Sequence, residues 1–357
     1  MRESLAQGCA IRHGPLGPRP KSGRRRGGRG EVGHNARLSG FDPRPYLKEI
    51  ARGRHGARDL TRDQSRTLWE AVFAGAVADL ALGALLVAWR IKGETQEELA
   101  GMMEALSPHL ATIHLPMRRA LPIVIPTYNG SRKLPNLVPL LALLIAREGV
   151  PVLLHGVAHE PNRVSTFEIL ERLGHPAAAS IHEAERGIDR HDIAALPVSV
   201  LSPALATLLD ARLATGVRNS GHTAAKLALP ANLAANQAFR LIAVTHPDFQ
   251  ALMREHFASS PGHAFLMRGV EGEPVVRLHA PQPIEQLDPS GALVTRLLRD
   301  CEAPPLPARD AQATADWTRD VLEGKIEVPA AISQQAQLLA DQAREAATAK
   351  PLLRLVC

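Results

Sequence analysis

Cysteine and aromatic residues are scarce in this chain of 357 residues. Its three cysteines, Cys9, Cys301 and Cys357, cannot form a disulfide framework, and no CxxC or Cys/His spacing suggests a zinc site. This cysteine usage is that of a reducing compartment, so we expect a cytoplasmic protein. Phe, Trp and Tyr together make up 3% of the residues, which argues against a surface that binds single strands mainly by stacking bases on rings.

Long uninterrupted apolar runs are also absent. The most apolar stretch, residues 71–88, is broken by Asp79, which favours a pair of buried helices over a membrane span. We therefore expect no membrane partner. With 45% hydrophobic and 22% charged residues, the chain is long enough to bury a sizeable core, and it is expected to form two lobes.

The net charge of +6 is concentrated at one end. Residues 1–40 hold nine of the 42 basic residues and two of the 36 acidic ones, which leaves the remainder at −1. The Gly-rich run at residues 21–30, KSGRRRGGRG, lacks apolar periodicity, so we predict a disordered basic tail over 1–40. A nonspecific nucleic-acid arm fits this composition, and so does a solvated extension. We favour the extension because ordered patterning begins only near Phe41.

Residues 41–110 are predicted to be a helical domain. Thr61 with Gln64, and Thr95 with Glu98, have the capping-box spacing that starts a helix. Helices at about 202–220 are expected to join this domain.

Strands and helices alternate after Pro116, which predicts an α/β domain over 111–357 with a mainly parallel sheet. The apolar runs predict strands at 122–125, 151–154, 197–201, 241–245, 264–267 and 275–278. The same patterning predicts helices at 134–148, 164–173, 310–323 and 329–347.

The stretch from Arg62 to Leu106, with RIKGET at 90–95 and EELAG at 97–101, resembles the N-terminal helical domain of the anthranilate phosphoribosyltransferases, glycosyltransferase family 3. Four further stretches resemble the YbiB-type DNA-binding subgroup of that family: IVIPTYNGSRKLPNL at 123–137, LLHGVAHEPNRV at 153–164, TGVRNSGHTAAKLALP at 215–230 and LMRGVEGE at 266–273. The resemblance implies a small helical domain joined to a larger α/β domain, a homodimer formed through the helical lobe, and a phosphoribosyl pyrophosphate site between the domains. The apolar residues that could supply the dimer interface are Leu80, Leu82, Leu85, Leu86 and Trp89.

The residues at the implied phosphoribosyl pyrophosphate site depart from the family pattern. Pro126, Tyr128 and Leu154 stand where an amide donor, a glycine and a cation are expected, and Pro274–Val275 stand where a magnesium-binding acidic pair is expected. Glu271 and Glu273 are predicted to lie in a surface turn, although Glu273 could replace the pair after a local shift. We therefore assign no catalytic or metal-ligating residue and a degenerate site at Thr127, Tyr128, Asn129, Gly130, His155, Gly156, Ser165 and Thr166.

The resemblance favours binding of DNA, with RNA as a further candidate, without sequence specificity and without a cofactor. The candidate phosphate-binding cations are Arg118, Arg119, Arg132, Lys133, Arg163, Arg212, Arg218 and Lys226. The alternative is a Mg²⁺-dependent phosphoribosyltransferase with an altered acceptor. A nucleoside phosphorylase is a weaker third hypothesis, because Leu154 replaces the cation that would hold phosphate.

Overall fold

The computed structural model describes residues 40–53, 55–116, 119–298 and 304–348. The predicted basic tail lies outside these ranges except for Gly40, and so does the candidate cation Arg118. Within the described ranges, no helix is both long and apolar enough to span a bilayer.

The first layer contains only helices, as the sequence predicts: α1 (Arg44–Ile50), α2 (Arg62–Phe73), α3 (Asp79–Lys92) and α4 (Gln96–Leu106). Both predicted capping boxes are present at the starts of α2 and α4. The side chain of Thr95 accepts a hydrogen bond from the Glu98 amide, and the Glu98 carboxylate accepts one from the Thr95 amide. Local sequence alone therefore sets where these two helices begin.

Glu98 also connects the helices of this layer to one another. Its buried carboxylate accepts hydrogen bonds from the Leu60 amide at 2.9 Å and from the Lys92 ammonium at 2.8 Å. The indole of Trp89 donates to it at 3.3 Å. One carboxylate thus satisfies donors from α3, α4 and the segment before α2, which fixes how these elements pack.

A seven-stranded sheet forms the second layer, in the order β3-β2-β1-β4-β5-β6-β7. The first five strands in this order are parallel, and β6 and β7 add an antiparallel edge. The strands are β1 (Ile123–Thr127), β2 (Val152–Gly156), β3 (Ile193–Pro197), β4 (Phe239–Ala243), β5 (Ala264–Met267), β6 (Gln282–Leu287) and β7 (Leu293–Leu298).

Helices cover both faces of this sheet. Ile123 and Ile125 of β1 pack in one buried cluster, whereas Val124 between them packs in another on the opposite face. The helices are α5 (Val138–Arg147), α6 (Thr166–Arg172), α7 (Ile181–His191), α8 (Val198–Leu201), α9 (Pro203–Thr215), α10 (Gly221–Leu227), α11 (Pro247–Ser259), α12 (Ala311–Leu322) and α13 (Ala330–Thr348). The predicted α/β class with a mainly parallel sheet is confirmed.

Two predicted strands are wrong. The strand predicted at 197–201 lies earlier, in β3, and residues 198–201 form α8 because Pro197 ends the strand. Residues 275–278 form no strand. Val275 and Val276 are buried, but the Val276 amide donates to the Gln335 side chain instead of a neighbouring strand. Apolar residues can be buried without a ladder when side chains satisfy their amides.

α9 packs against the helical layer. Leu205, Leu208 and Leu209 share a buried cluster with Trp69 and Trp89. The predicted domain boundary near residue 110 stays a prediction.

The residues expected to supply a dimer interface are mostly internal. Leu85, Leu86 and Trp89 each expose about 1% of their surface and belong to the core of the helical layer. Leu80, in contrast, is 89% exposed. An interface on α3 therefore has to use the exposed face that carries Leu80, opposite the buried residues.

Replacement of Glu98 by alanine should lower the free energy of unfolding by about 3 kcal/mol, because it leaves buried donors of three elements without an acceptor. The matched control is Glu97→Ala, at an exposed position in the same first turn, which should lower the free energy of unfolding by less than about 0.5 kcal/mol. Urea unfolding measures both. Equal losses in the two variants would contradict this role for Glu98.

Candidate functional site

The turn after β1 lies at the carboxyl end of the central parallel strands, where open α/β sheets bind ligands. Thr127 ends β1 in register with Gly156 at the end of β2. A Cβ on Gly156 would lie 1.8 Å from the Thr127 carbonyl oxygen, so only glycine permits this approach. Gly130 closes the turn with a positive φ of 61°.

The structure brings the whole predicted degenerate site together around this turn. The Thr127 and Thr166 hydroxyls are 2.7 Å apart. Ser165 caps α6, with its side chain accepting a hydrogen bond from the Glu168 amide at 3.1 Å. Tyr128 contacts His155 across the turn.

Glu273 fills the turn with a carboxylate. Its Oε1 accepts hydrogen bonds from the amides of Asn129 and Gly130, both at 2.7 Å, and the Thr127 hydroxyl donates to Oε2 at 2.5 Å. Glu273 is 1% exposed, so its predicted place in a surface turn is wrong. Sequence reasoning missed this contact because it joins residues about 145 positions apart.

Gly272 allows the segment that carries Glu273 to lie close to the turn after β1. A Cβ on Gly272 would lie 2.2 Å from the side-chain nitrogen of Asn129, which itself donates to the Gly272 carbonyl at 2.6 Å. The segment after β5 therefore lies directly against the turn after β1.

Glu271 occupies a second set of amides nearby. Its carboxylate accepts from the amides of Arg132 at 2.8 Å and Lys133 at 3.0 Å. Burial raises the pKa of Glu271, but hydrogen bonds from the amides of Lys133, Arg132 and Leu134 outweigh that effect and lower it. α5 begins at Val138, four residues later than predicted.

A magnesium site does not fit these residues. The oxygens of Glu271 and Glu273 are already engaged by backbone amides and a hydroxyl. In the part of the chain that the structure describes, no three His, Cys, Asp or Glu residues lie together as metal ligands would. The carboxylates stabilise two turns instead of forming an acidic pair open to a cation.

Tyr128 and His155 form a neutral buried pair beneath the turn. The Tyr128 hydroxyl lies 2.7 Å from His155 Nδ1, and the rings meet edge to face. Burial lowers the pKa of His155 to about 4 and raises that of Tyr128. With Leu154 also buried, the end of β2 offers no cation to a phosphate at neutral pH.

Most of the candidate cations surround this neutral centre. Arg163 donates to the Gly130 carbonyl at 3.1 Å, and Arg218 donates to the Asn129 side-chain oxygen. Arg212 makes a two-pronged ion pair with buried Glu160, at 2.5 and 2.6 Å. Lys226 donates to the Ala243 carbonyl. Burial lowers the pKa of Lys226 to about 8, and Glu273 partly opposes this shift.

Two exposed cations and two that sequence reasoning missed complete the group. Arg132 and Lys133 are exposed beside the turn, and Arg309 donates to the Arg132 carbonyl. Arg90 donates to the Arg218 carbonyl at 2.9 Å. No local signal marks Arg90 or Arg309, because each contact spans more than a hundred residues. We call the following residues the cationic rim: Arg90, Arg132, Lys133, Arg163, Arg212, Arg218, Lys226 and Arg309.

Arg119 does not join the cationic rim. It precedes the amino end of β1, whereas the rim surrounds the carboxyl end of the same strand. It is exposed, and the structure gives it no part in the site.

Comparison with known proteins places the chain in a family. Residues 44–109 match the glycosyl transferase family, helical bundle domain. The uncharacterized protein YbiB of Escherichia coli K12 is 39% identical over 310 residues, which cover 86% of this chain and 96% of that protein. This chain belongs to the same family as YbiB.

The wider relatives of this YbiB family member are anthranilate phosphoribosyltransferases. The enzyme of Haloarcula marismortui is 29% identical over 213 residues, covering 60% of this chain and 61% of the enzyme.

Two solved anthranilate phosphoribosyltransferases share the fold. The Thermus thermophilus structure superposes with a TM-score of 0.67 at 23% identity, covering 84% of this chain and 92% of that one. A Saccharomyces cerevisiae structure in complex with PRPP and Mg superposes with a TM-score of 0.64 at 15% identity, covering 85% of this chain and 88% of that one. The chain therefore has the fold of these anthranilate phosphoribosyltransferases.

The depressed pKa of His155 predicts acid lability. A buried histidine that is neutral when folded takes up a proton on unfolding, so its contribution to stability is present above about pH 6.5 and lost as the pH falls towards 4. One such group changes the free energy of unfolding by up to about 1.4 kcal/mol per pH unit. His155→Gln should therefore show a shallower fall over this range.

Urea unfolding between pH 4 and pH 7 measures this slope. His182→Gln, which changes an exposed imidazole, is the control and should leave the slope as it is. An unchanged slope in His155→Gln would show that this histidine does not carry the acid lability.

Proposed function

We propose that this protein binds DNA and RNA without sequence specificity through the cationic rim, on a phosphoribosyltransferase scaffold that does not transfer phosphoribosyl groups. One observation carries the proposal. The amides that could hold a small phosphate at the turn are engaged by Glu271 and Glu273, whereas the cations around it have mostly neutral partners.

The partners of the rim support this view. Within the described ranges, Arg212 is the one rim cation that pairs with a carboxylate, Glu160. Arg163, Arg218 and Arg309 each donate to an amide or carbonyl oxygen and not to a carboxylate. Several cations side by side without a directly paired carboxylate favour a polyanion, which releases counterions as each phosphate is contacted.

The rim is suited to the phosphate backbone. Tyr128, the aromatic residue of the turn, is 4% exposed and cannot stack on a base. Guanidinium and ammonium groups contact phosphates in the same way whatever the base sequence. DNA and RNA are therefore both expected to bind.

Binding by the folded chain can be separated from binding by the basic tail. A chain that begins at Phe41 should still bind a short random-sequence DNA duplex in fluorescence anisotropy, although residues 41–357 carry a net charge of −1. Its affinity should fall with salt at a log–log slope of roughly −0.9 per phosphate contact.

Changing Arg132 and Lys133 together to alanine should weaken binding equally across sequences and flatten the slope by roughly 1 to 2. The matched control removes two exposed cations of α7, Arg186 and Arg190, and should leave the slope unchanged. Binding by the isolated tail but not by the chain from Phe41 would overturn the proposal.

The alternative, a Mg²⁺-dependent phosphoribosyltransferase with an altered acceptor, predicts turnover. We expect no release of pyrophosphate from phosphoribosyl pyrophosphate and anthranilate with Mg²⁺, because Glu273 occupies the turn and its carboxylate is bonded to backbone amides. A pyrophosphate assay against a buffer blank measures this. Release that EDTA abolishes would falsify the expectation and favour the alternative.

We further propose that two copies pair through the exposed face of α3. Leu80, Ala84, Val87 and Ile91 follow one another at helical spacing, and Leu80 and Ile91 are 89% and 77% exposed. An apolar stripe of this kind is typical of an interface with a partner. Pairing would place two cationic rims on one particle, so long nucleic acids would bind more tightly than short ones.

Light scattering at micromolar concentration should show a dimer, and Val87→Glu with Ile91→Glu should yield a monomer. Leu297→Glu, at a half-exposed position on β7, is the matched control and should remain dimeric. A monomeric unmodified protein would contradict the pairing.

A further inference from the structure

A cavity of about 320 Å³ lies beside the site, between the α3–α4 connection, α10 and the segment after β4. None of the turn residues 127–130 lines it. One wall is apolar and is formed by Val244, Phe249 and Met253. The other lining residues, apart from Gly93, are polar and are called the polar wall here.

The polar wall presents hydrogen-bond donors. The Asn219 amide donates to His222 Nδ1 at 3.3 Å, so in the neutral ring the proton is on Nε2. Burial and the neighbouring arginines, Arg218 first, hold the pKa of His222 at about 3, so the ring is neutral at physiological pH. His222 therefore contributes a donor and no charge.

Cations supply the charge of this wall. Arg90, Arg218 and Lys226 line the cavity. The one carboxyl among the lining residues is that of Glu94, whose pKa burial raises, so the lining holds three cations and a single carboxyl. The cavity thus combines excess positive charge, several donors and an apolar wall.

We propose that this cavity binds a small phosphate monoester with a compact apolar body. A phosphate monoester carries about −1.5 to −2 at pH 7 and three strong acceptor oxygens, which match several cations and donors better than one carboxylate does. The apolar wall takes the organic part, as is usual for small-molecule sites with a few placed polar groups. This site goes beyond nucleic-acid binding, because its ligand is a small molecule.

Titration calorimetry on the full chain, without nucleic acid, tests the proposal with phenyl phosphate and inorganic phosphate as probes. Phenyl phosphate should bind with saturation, and inorganic phosphate about tenfold or more weakly, because it leaves the apolar wall unfilled. Phe249→Ala should weaken phenyl phosphate binding by a similar factor while leaving that of inorganic phosphate unchanged.

Thr245→Glu places a negative charge at an exposed edge of the cavity and should abolish binding of both probes. Thr67→Glu, the same change at an exposed position on α2, should leave both unchanged. Absence of saturable phenyl phosphate binding overturns the proposal, as does binding that neither Phe249→Ala nor Thr245→Glu alters. Because no nucleic acid is present, these outcomes are independent of whether the cationic rim binds DNA.

Discussion

The contact between the Glu273 carboxylate and the turn after β1 is the interaction on which the rest of the site depends. It satisfies two backbone amides and a hydroxyl in a buried position, where unpaired donors would each cost about 1–3 kcal/mol. It also holds Asn129 in place, and the side-chain oxygen of Asn129 accepts a hydrogen bond from the Arg218 guanidinium. A carboxylate from the chain itself takes the place that an anionic ligand could otherwise fill.

The charged groups around this contact explain why cations surround the turn. Carboxylates used to bind backbone amides are held inside the turns, so they compensate the side-chain cations only at a distance. His155 adds no charge because burial keeps it neutral. The result is a turn occupied by Glu273 and surrounded by cations that mostly have carbonyl and amide partners, an arrangement that supports the proposed binding of an extended polyanion.

The function proposed above differs from the one that the names of the solved relatives give. Anthranilate phosphoribosyltransferases share the sheet and the helical layer, but fold alone does not determine function. The family resemblance expects a glycine, a cation and an acidic pair where Tyr128, Leu154 and Pro274–Val275 stand, and the neighbouring Glu273 is hydrogen-bonded to the turn after β1.

Local sequence by itself determined the helical layer, the capping boxes at Thr61 and Thr95, and the alternation that gives a mainly parallel sheet. These features depend on short-range hydrogen bonds and on apolar periodicity, which neighbouring residues carry. The resemblance also identified the turn residues 127–130 and their neighbours on β2. Only the tertiary structure decided that Glu273 is buried in that turn, that residues 275–278 are core without being a strand, and that Arg90 and Arg309 join the cationic rim. Each of these depends on contacts between residues far apart in the chain, where glycine permits a close approach or a distant side chain satisfies an amide, and no local pattern records such a partner.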